Sequence, residues 1–206
     1  AEIEREPTQQ TPGCWGPLGM VRPPRRQKLC INNIQYLNNN TENKPEKDIK
    51  EAFIKCAAIE IYFWWLKYKN QNPTAENELK NGTIPDEFKR IMYYTYSDYK
   101  DMFFGTDITN ENKIITIKKN VTTILKNENN KKEKDKKKKD EELLTNFWEE
   151  NKKLIWEGMI YGLTHDLTNE TEKNKITDNS AYKDITKLTP SLEEFAKRPQ
   201  FLRWFT

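Results

Sequence analysis

Histidine is almost missing from this chain: His165 is the only one in 206 residues. No Walker, GxGxxG, GxSxG or HExxH pattern occurs either. A lone imidazole and no phosphate cradle leave hydrolytic, metalloprotease and nucleotide chemistry without their usual groups. The chain therefore reads as non-enzymatic, and no cofactor is implied. Long apolar runs are also lacking, since a membrane span needs about 18 or more such residues. The densest stretch, AAIEIYFWWL at 57–66, is shorter and broken by Glu60. The polar start AEIEREPTQQ carries no signal-peptide pattern. Net charge is small, with 35 basic residues against 32 acidic ones. Electrostatic steering must then come from local clusters, of which there are two, at 22–28 and 131–139. No nucleic-acid module is visible, and Glu133 and Asp135 interrupt the second cluster. Nucleic acid is not an expected partner.

Cysteine is scarce and odd in number. Cys14, Cys30 and Cys56 permit three alternative single bridges and always leave one thiol over. Buried thiols are the alternative, and the spacings match no paired CxxC zinc pattern. An odd count raises the expectation of a partner cysteine outside the chain. Apolar residues make up 35% of the sequence, but aromatics alone reach 12%. Each buried aromatic removes about 150–250 Å² from water, enough to offset the shortage of aliphatic side chains.

What is present is helical periodicity. Residues 1–44 read as turns and extended pieces, with Pro7, Pro12, Pro17, Pro23 and Pro24 interleaved with Gly13, Gly16 and Gly19. GPLG at 16–19 is the kind of scar an expression vector leaves, and it carries no chemistry. A helix then opens at Pro45, with Glu46 and Asp48 suited to its positive end. Its apolar face is Ile49, Ala52, Phe53, Cys56, Ala57, Phe63 and Trp64, and it runs until Asn70 and Pro73. Because it turns apolar on several sides, it should be central.

A second helix is signalled by Thr83 as N-cap, Pro85 in the first turn and Asp86 three residues after the cap. Its face is Ile84, Phe88, Ile91, Met92, Thr95, Tyr99, Met102 and Phe103, and Gly105 ends it. Tyr93, Tyr94, Tyr96 and Tyr99 read as core residues with hydrated hydroxyls. A third amphipathic segment carries Ile114, Ile117, Val121, Ile124 and Leu125. The run NENNKKEKDKKKKDEE at 127–142 has no apolar residue and reads as a solvated loop. A fourth helix, 141–163, has Leu143, Leu144, Phe147, Trp148, Leu154, Ile155, Met159 and Leu163 in its stripe. Gly158 and Gly162 in it would let a neighbouring helix come close. Thr189 and Pro190 open a last short helix over SLEEFAK, and the chain closes on QFLRWFT, an amphipathic start without its continuation.

Candidate sites are few. His165 is placed at a helix end, capping carbonyls or in solvent. Glu149, Glu150, Glu193 and Glu194 read as solvated helix faces. Arg22, Arg25, Arg26, Lys28, Lys136, Lys137, Lys138 and Lys139 are candidates for a polyanion such as a sulfated glycan, gripped as point charges and weakened by salt. Sequons stand at Asn39, Asn81, Asn120 and Asn169, in a chain so rich in asparagine that chance accounts for several.

Several phrases together resemble one family. These are PPRRQKLC (23–30), INNI (31–34), AFIKCAAIEIYFWWLKYK (52–69), LKNGTIPDEFKRIMYYTYSDYKDMFFGTDI (79–108), LIWEGMIYGL (154–163) and PQFLRWFT (199–206). In order and over nearly the whole chain they look like the Duffy-binding-like domain, in the version found in Plasmodium falciparum erythrocyte membrane protein 1. The resemblance implies an all-α fold of three subdomains, of which this chain holds a coil-rich first (1–44), a helix-bundle second (45–198) and the start of the third (199–206). The chain would then be one incomplete domain of a larger protein. The resemblance also implies that the lysine run is a length-variable insertion, that the sequons go unglycosylated, and that Cys30 tethers a structural segment leading into a helix near 29–37. The arginines of PPRRQKLC then pair more readily with acidic faces or carbonyl ends of the bundle than with a polyanion. Many relatives carry a cysteine near Tyr161. If that is the usual partner of Cys56, Cys56 is here unpaired or bonded elsewhere, and the pairing of Cys14 stays open.

The implied function is extracellular: a host-receptor-binding adhesin at the surface of the infected erythrocyte, serving cytoadherence and antigenic variation. The epsilon- or zeta-like character of the phrases leans towards immunoglobulin M Fc. The alternatives are chondroitin sulfate or another glycosaminoglycan, or a spacer that packs against neighbouring domains. On the protein-receptor reading, the contacts are expected on the exposed faces of 85–104 and 141–163.

Overall fold

A computed structural model describes residues 29–35, 37, 45–109, 111–132 and 139–205. Among these residues there are ten helices and no strand, which agrees with the all-α expectation. In chain order they are α1 (Asn32–Gln35), α2 (Pro45–Gln71), α3 (Ala75–Lys80), α4 (Asp86–Phe104), α5 (Asn112–Lys132), α6 (Asp140–Leu163), α7 (Glu170–Thr177), α8 (Ser180–Lys183), α9 (Leu192–Lys197) and α10 (Gln200–Phe205). Most of the first 44 residues, including the GPLG stretch and the sequon at Asn39, lie outside the described residues.

The longest packing seam runs between α2 and α6. Gly158 and Gly162 bring it about, as their four-residue spacing suggests. A Cβ at 162 would sit 2.1 Å from the Ala58 carbonyl oxygen, and one at 158 would sit 2.7 Å from Ile54 Cγ2. Around this pair, α2 also contacts α1, α3, α4 and α5, so it is the central helix. Its buried stripe is Ile49, Phe53, Cys56, Ala57, Ile61 and Trp65. Phe63 and Trp64, expected on that stripe, are exposed and half-buried respectively. At about 100° per residue, Phe63 points roughly 120° away from Ala57, whereas Ile61 and Trp65 continue the four-residue row.

Helix α4 begins at Asp86, not after a Thr83 cap. The residue before a proline is driven out of the helical region, so Ile84 cannot be a first-turn residue. Pro85 itself is the extended N-cap, at φ −54° and ψ 136°. Gly105 ends the helix in the left-handed region at φ 66°, as expected. The four tyrosines are core residues, but three of their hydroxyls are not left to water. Tyr93 Oη donates to the Pro190 carbonyl at 2.6 Å, Tyr99 Oη to the Cys30 carbonyl at 2.7 Å, and Tyr96 Oη to Glu193 Oε1 at 3.3 Å.

Helix α5 buries Ile114, Ile117, Val121, Ile124 and Leu125 and runs on to Lys132. The expected loop at 127–142 is thus shortened from both ends, since α6 already starts at Asp140. Lysine and glutamate are good helix formers, and an existing helix adds such residues at little cost. Lys126 Nζ meets Asp140 Oδ2 at 2.8 Å where the two helices converge. The short α9 is capped by Ser191, whose hydroxyl accepts the Glu194 N–H at 3.3 Å. Thr189 and Pro190 lie before that cap.

Charge pins the short pieces to the bundle. Glu193 on α9 meets Lys100 of α4 at 3.1 Å and Lys152 of α6 at 3.2 Å. It is a three-helix node, not the solvated face expected of it, because α9 lies across the ends of two cationic side chains. Burial raises the Glu193 carboxyl, but the two ammonium groups outweigh it and hold the group below its ordinary value of 4.5. Buried Arg203 of α10 pairs with Asp101 of α4 and also donates to the Ala196 and Arg198 carbonyls. Burial pushes Asp101 up to about 6 despite that partner. The pair therefore orients α10 at an electrostatic cost.

Two outcomes follow from these nodes. Asp101→Ala leaves a buried guanidinium uncompensated and should cost about 3–5 kcal/mol in urea unfolding. The double variant Asp101→Ala/Arg203→Met should recover most of that loss. Glu193 has a depressed folded pKa, so its stabilisation is present above about pH 4.5 and is lost as pH falls through the folded value. Glu193→Gln should therefore flatten the loss of stability with acid below that point, as read from unfolding midpoints across pH.

Candidate functional site

The cationic candidates do not gather into a described patch. Cys14, Arg22, Arg25, Arg26, Lys28, Lys136, Lys137 and Lys138 lie outside the described residues. Lys139 is exposed at the N-cap of α6, at φ −68° and ψ 150°, next to the acidic first turn of Asp140, Glu141 and Glu142. Cys30 and Cys56 are both buried as thiols and lie beside one another. His165 is in solvent just past the end of α6, one of the two places expected for it.

The surface feature with the strongest physical claim is the outer side of the α2–α6 seam. Close approach at Gly162 and Ala58 pushes the larger side chains of the two helices to the rim of their contact. On α2 these are half-buried Tyr62 and Phe63, which is 42% exposed. On α6 they are Tyr161, 57% exposed, and Leu154, seven residues earlier and thus on the same face. His165 closes the group. The Tyr62 ring lies 5.5 Å from Phe63 and 5.0 Å from His165, and Tyr161 lies 6.2 Å from His165, all edge-to-face.

Polar groups rim these rings. Lys173 Nζ sits 5.1 Å from the Tyr161 ring centroid. Asp166 accepts from Lys69 Nζ at 3.2 Å and faces His165 Nδ1 at 3.3 Å. Burial raises the Asp166 carboxyl, yet these two partners hold it below its ordinary value of 3.8. It is thus a fixed anion that orients the imidazole edge. An exposed apolar patch with a charged rim is the anatomy of a protein-docking surface. Large, stiff aromatics are also the side chains that most often dominate binding energy.

A concave feature, a cavity of about 710 Å³, opens at the start of α4 between Arg90, Tyr93, Pro190, Phe195 and Arg198. Its guanidinium groups lie over rings, Arg90 at 5.9 Å from Tyr94 and Arg198 at 5.5 Å from Phe195. Burial pushes the Tyr93 phenol up to about 12, and its hydrogen goes to Pro190, so it is a structural donor and not an acid. Among the described residues no three His, Cys, Asp or Glu side chains gather to hold a metal ion. No described helix is long and apolar enough to cross a membrane.

Of the two faces expected to carry receptor contacts, the middle of α4 is closed, with Tyr93 to Tyr99 buried. The α6 face does present Leu154 and Tyr161. Tyr62 and Phe63 of α2 stand beside that face, which was not expected, although Phe63 lies off the four-residue row of its own helix.

Comparison with known proteins bears on these features. Over residues 19–203 the chain matches the family described as the Duffy binding domain. It is similar to the Duffy receptor beta form of Plasmodium knowlesi, with 25% identity over 189 residues. That alignment covers 88% of this chain and 13% of the relative, so the chain spans a small part of that protein's length. No solved structure gives a significant match.

Proposed function

The chain belongs to the Duffy binding domain family, and from this premise we propose that it is a host-receptor-binding adhesion domain that works by surface recognition. The family is one of receptor-binding adhesins, not of enzymes. The observation that carries the reading here is the exposed aromatic group Tyr62, Phe63, Tyr161 and His165 with its charged rim. Rigid helices hold it, so little ordering entropy is lost on binding.

In this reading the domain is one module of a larger variant surface antigen of the erythrocyte membrane protein 1 kind, displayed outside the infected erythrocyte and serving cytoadherence. The epsilon- or zeta-like phrases favour a protein ligand, with immunoglobulin M Fc as the first to test. An aromatic anchor surface favours it as well, since protein contacts of this kind depend on buried rings more than on counter-ion release. Glycosaminoglycan binding through the lysine run would fall steeply with salt, and a spacer would bind nothing.

Immobilised immunoglobulin M Fc, chondroitin sulfate and heparin separate the three. The expected result is binding to Fc that changes little with ionic strength and weakens at least tenfold in the Phe63→Ala/Tyr161→Ala variant, about 1.4 kcal/mol or more. Retention on the glycans alone, abolished by salt, would replace this reading with the polyanion one. Binding to Fc that is unaffected by the double variant would remove the seam from it.

A further inference from the structure

The described part of the segment before α2 is fastened to the bundle around one buried spot. The Cys30 N–H donates to Glu60 Oε2 at 2.8 Å, and the Cys30 carbonyl accepts the Tyr99 hydroxyl at 2.7 Å. Glu60, which interrupts the apolar run of α2, is itself buried and accepts the Trp64 indole N–H at 2.8 Å through its other oxygen. Asn120 of α5 donates from its amide to the Leu37 carbonyl at 2.8 Å. One turn before Glu60 on α2 lies Cys56. Its sulfur faces the Asn33 and Ile34 backbone N–H groups and the Cys30 side chain. The two cysteines are 7% and 0% exposed.

We propose that Cys30 and Cys56 form a disulfide in the mature protein, a covalent tether between the segment leading into α1 and the central helix α2. Two directed contacts, to Glu60 one turn after Cys56 and from Tyr99 of α4, already hold the Cys30 backbone beside α2, and the two cysteine side chains meet there. The pairing rests on this geometry. Only the oxidising setting rests on the extracellular reading given above.

The oxidant is a small-molecule disulfide of the oxidised-glutathione kind. The Cys30 thiolate, having lost its proton to solvent, attacks one sulfur of that disulfide. A mixed disulfide forms, and one glutathione thiolate leaves and takes up a proton. The Cys56 sulfur then loses its proton, attacks the Cys30 sulfur and expels the second glutathione. Two protein thiols are oxidised to one disulfide, and one glutathione disulfide is reduced to two thiols. Cys30 is the first attacker because it is the more accessible of the two, 7% exposed against 0% for Cys56.

The test is to incubate the full chain in a buffer of oxidised and reduced glutathione, block remaining thiols with N-ethylmaleimide, and map peptides without reduction. The expected result is a Cys30–Cys56 cross-linked peptide with Cys14 blocked, and the same bond in a Cys14→Ser variant. A bond from Cys14 to either residue, or Cys30 and Cys56 both blocked, would overturn the proposal. Amide exchange gives a second reading: Ile34 and Leu37 should exchange at least about tenfold faster after reduction of the chain. Equal exchange in the two redox states would exclude a tether.

Discussion

The approach of α2 to α6 at Gly162 is the constraint on which the rest of the structure depends. A hydrogen in place of a side chain lets the α6 backbone rest on the Ala58 carbonyl. The surrounding side chains must then divide. Ile61, Trp65, Ile155 and Met159 go into the core, while Phe63, Leu154 and Tyr161 are left at the rim. The exposed aromatic group is thus a by-product of this close contact, and it is held by the two helices that make it.

Short helices could not hold their places on apolar area alone, and charge does part of that work. Glu60 receives the chain before α1, Glu193 gathers Lys100 and Lys152, and Arg203 settles α10 on Asp101. Each is a directed contact with several partners, which fixes position more sharply than hydrophobic burial does. The cost is visible at Asp101, whose carboxyl stays raised even beside a guanidinium. Such pairs specify an arrangement more than they stabilise it.

Helical periodicity in the sequence was enough to find α2, α4, α5 and α6, because each buries a regular row. The glycine pair was legible for the same reason, since four-residue spacing has one structural meaning on a helix. The start of α4 was misplaced because Pro85 restricts the residue before it, which a cap pattern alone does not reveal. Glu193 was read as solvent-facing because nothing along the chain tells which lysines lie 41 and 93 residues away in sequence. The aromatic seam was half legible: Tyr161 lies on a face named in advance, but its meeting with Tyr62 and His165 is a tertiary fact.

Equilibrium urea unfolding of Gly162→Ala tests the glycine contact most directly. The added Cβ meets backbone atoms of Ala58, and no change of side chain there can relieve it. The helices must separate, and a loss of about 1–3 kcal/mol is predicted. An unchanged unfolding midpoint and slope would contradict the close approach and, with it, the origin of the exposed aromatic group.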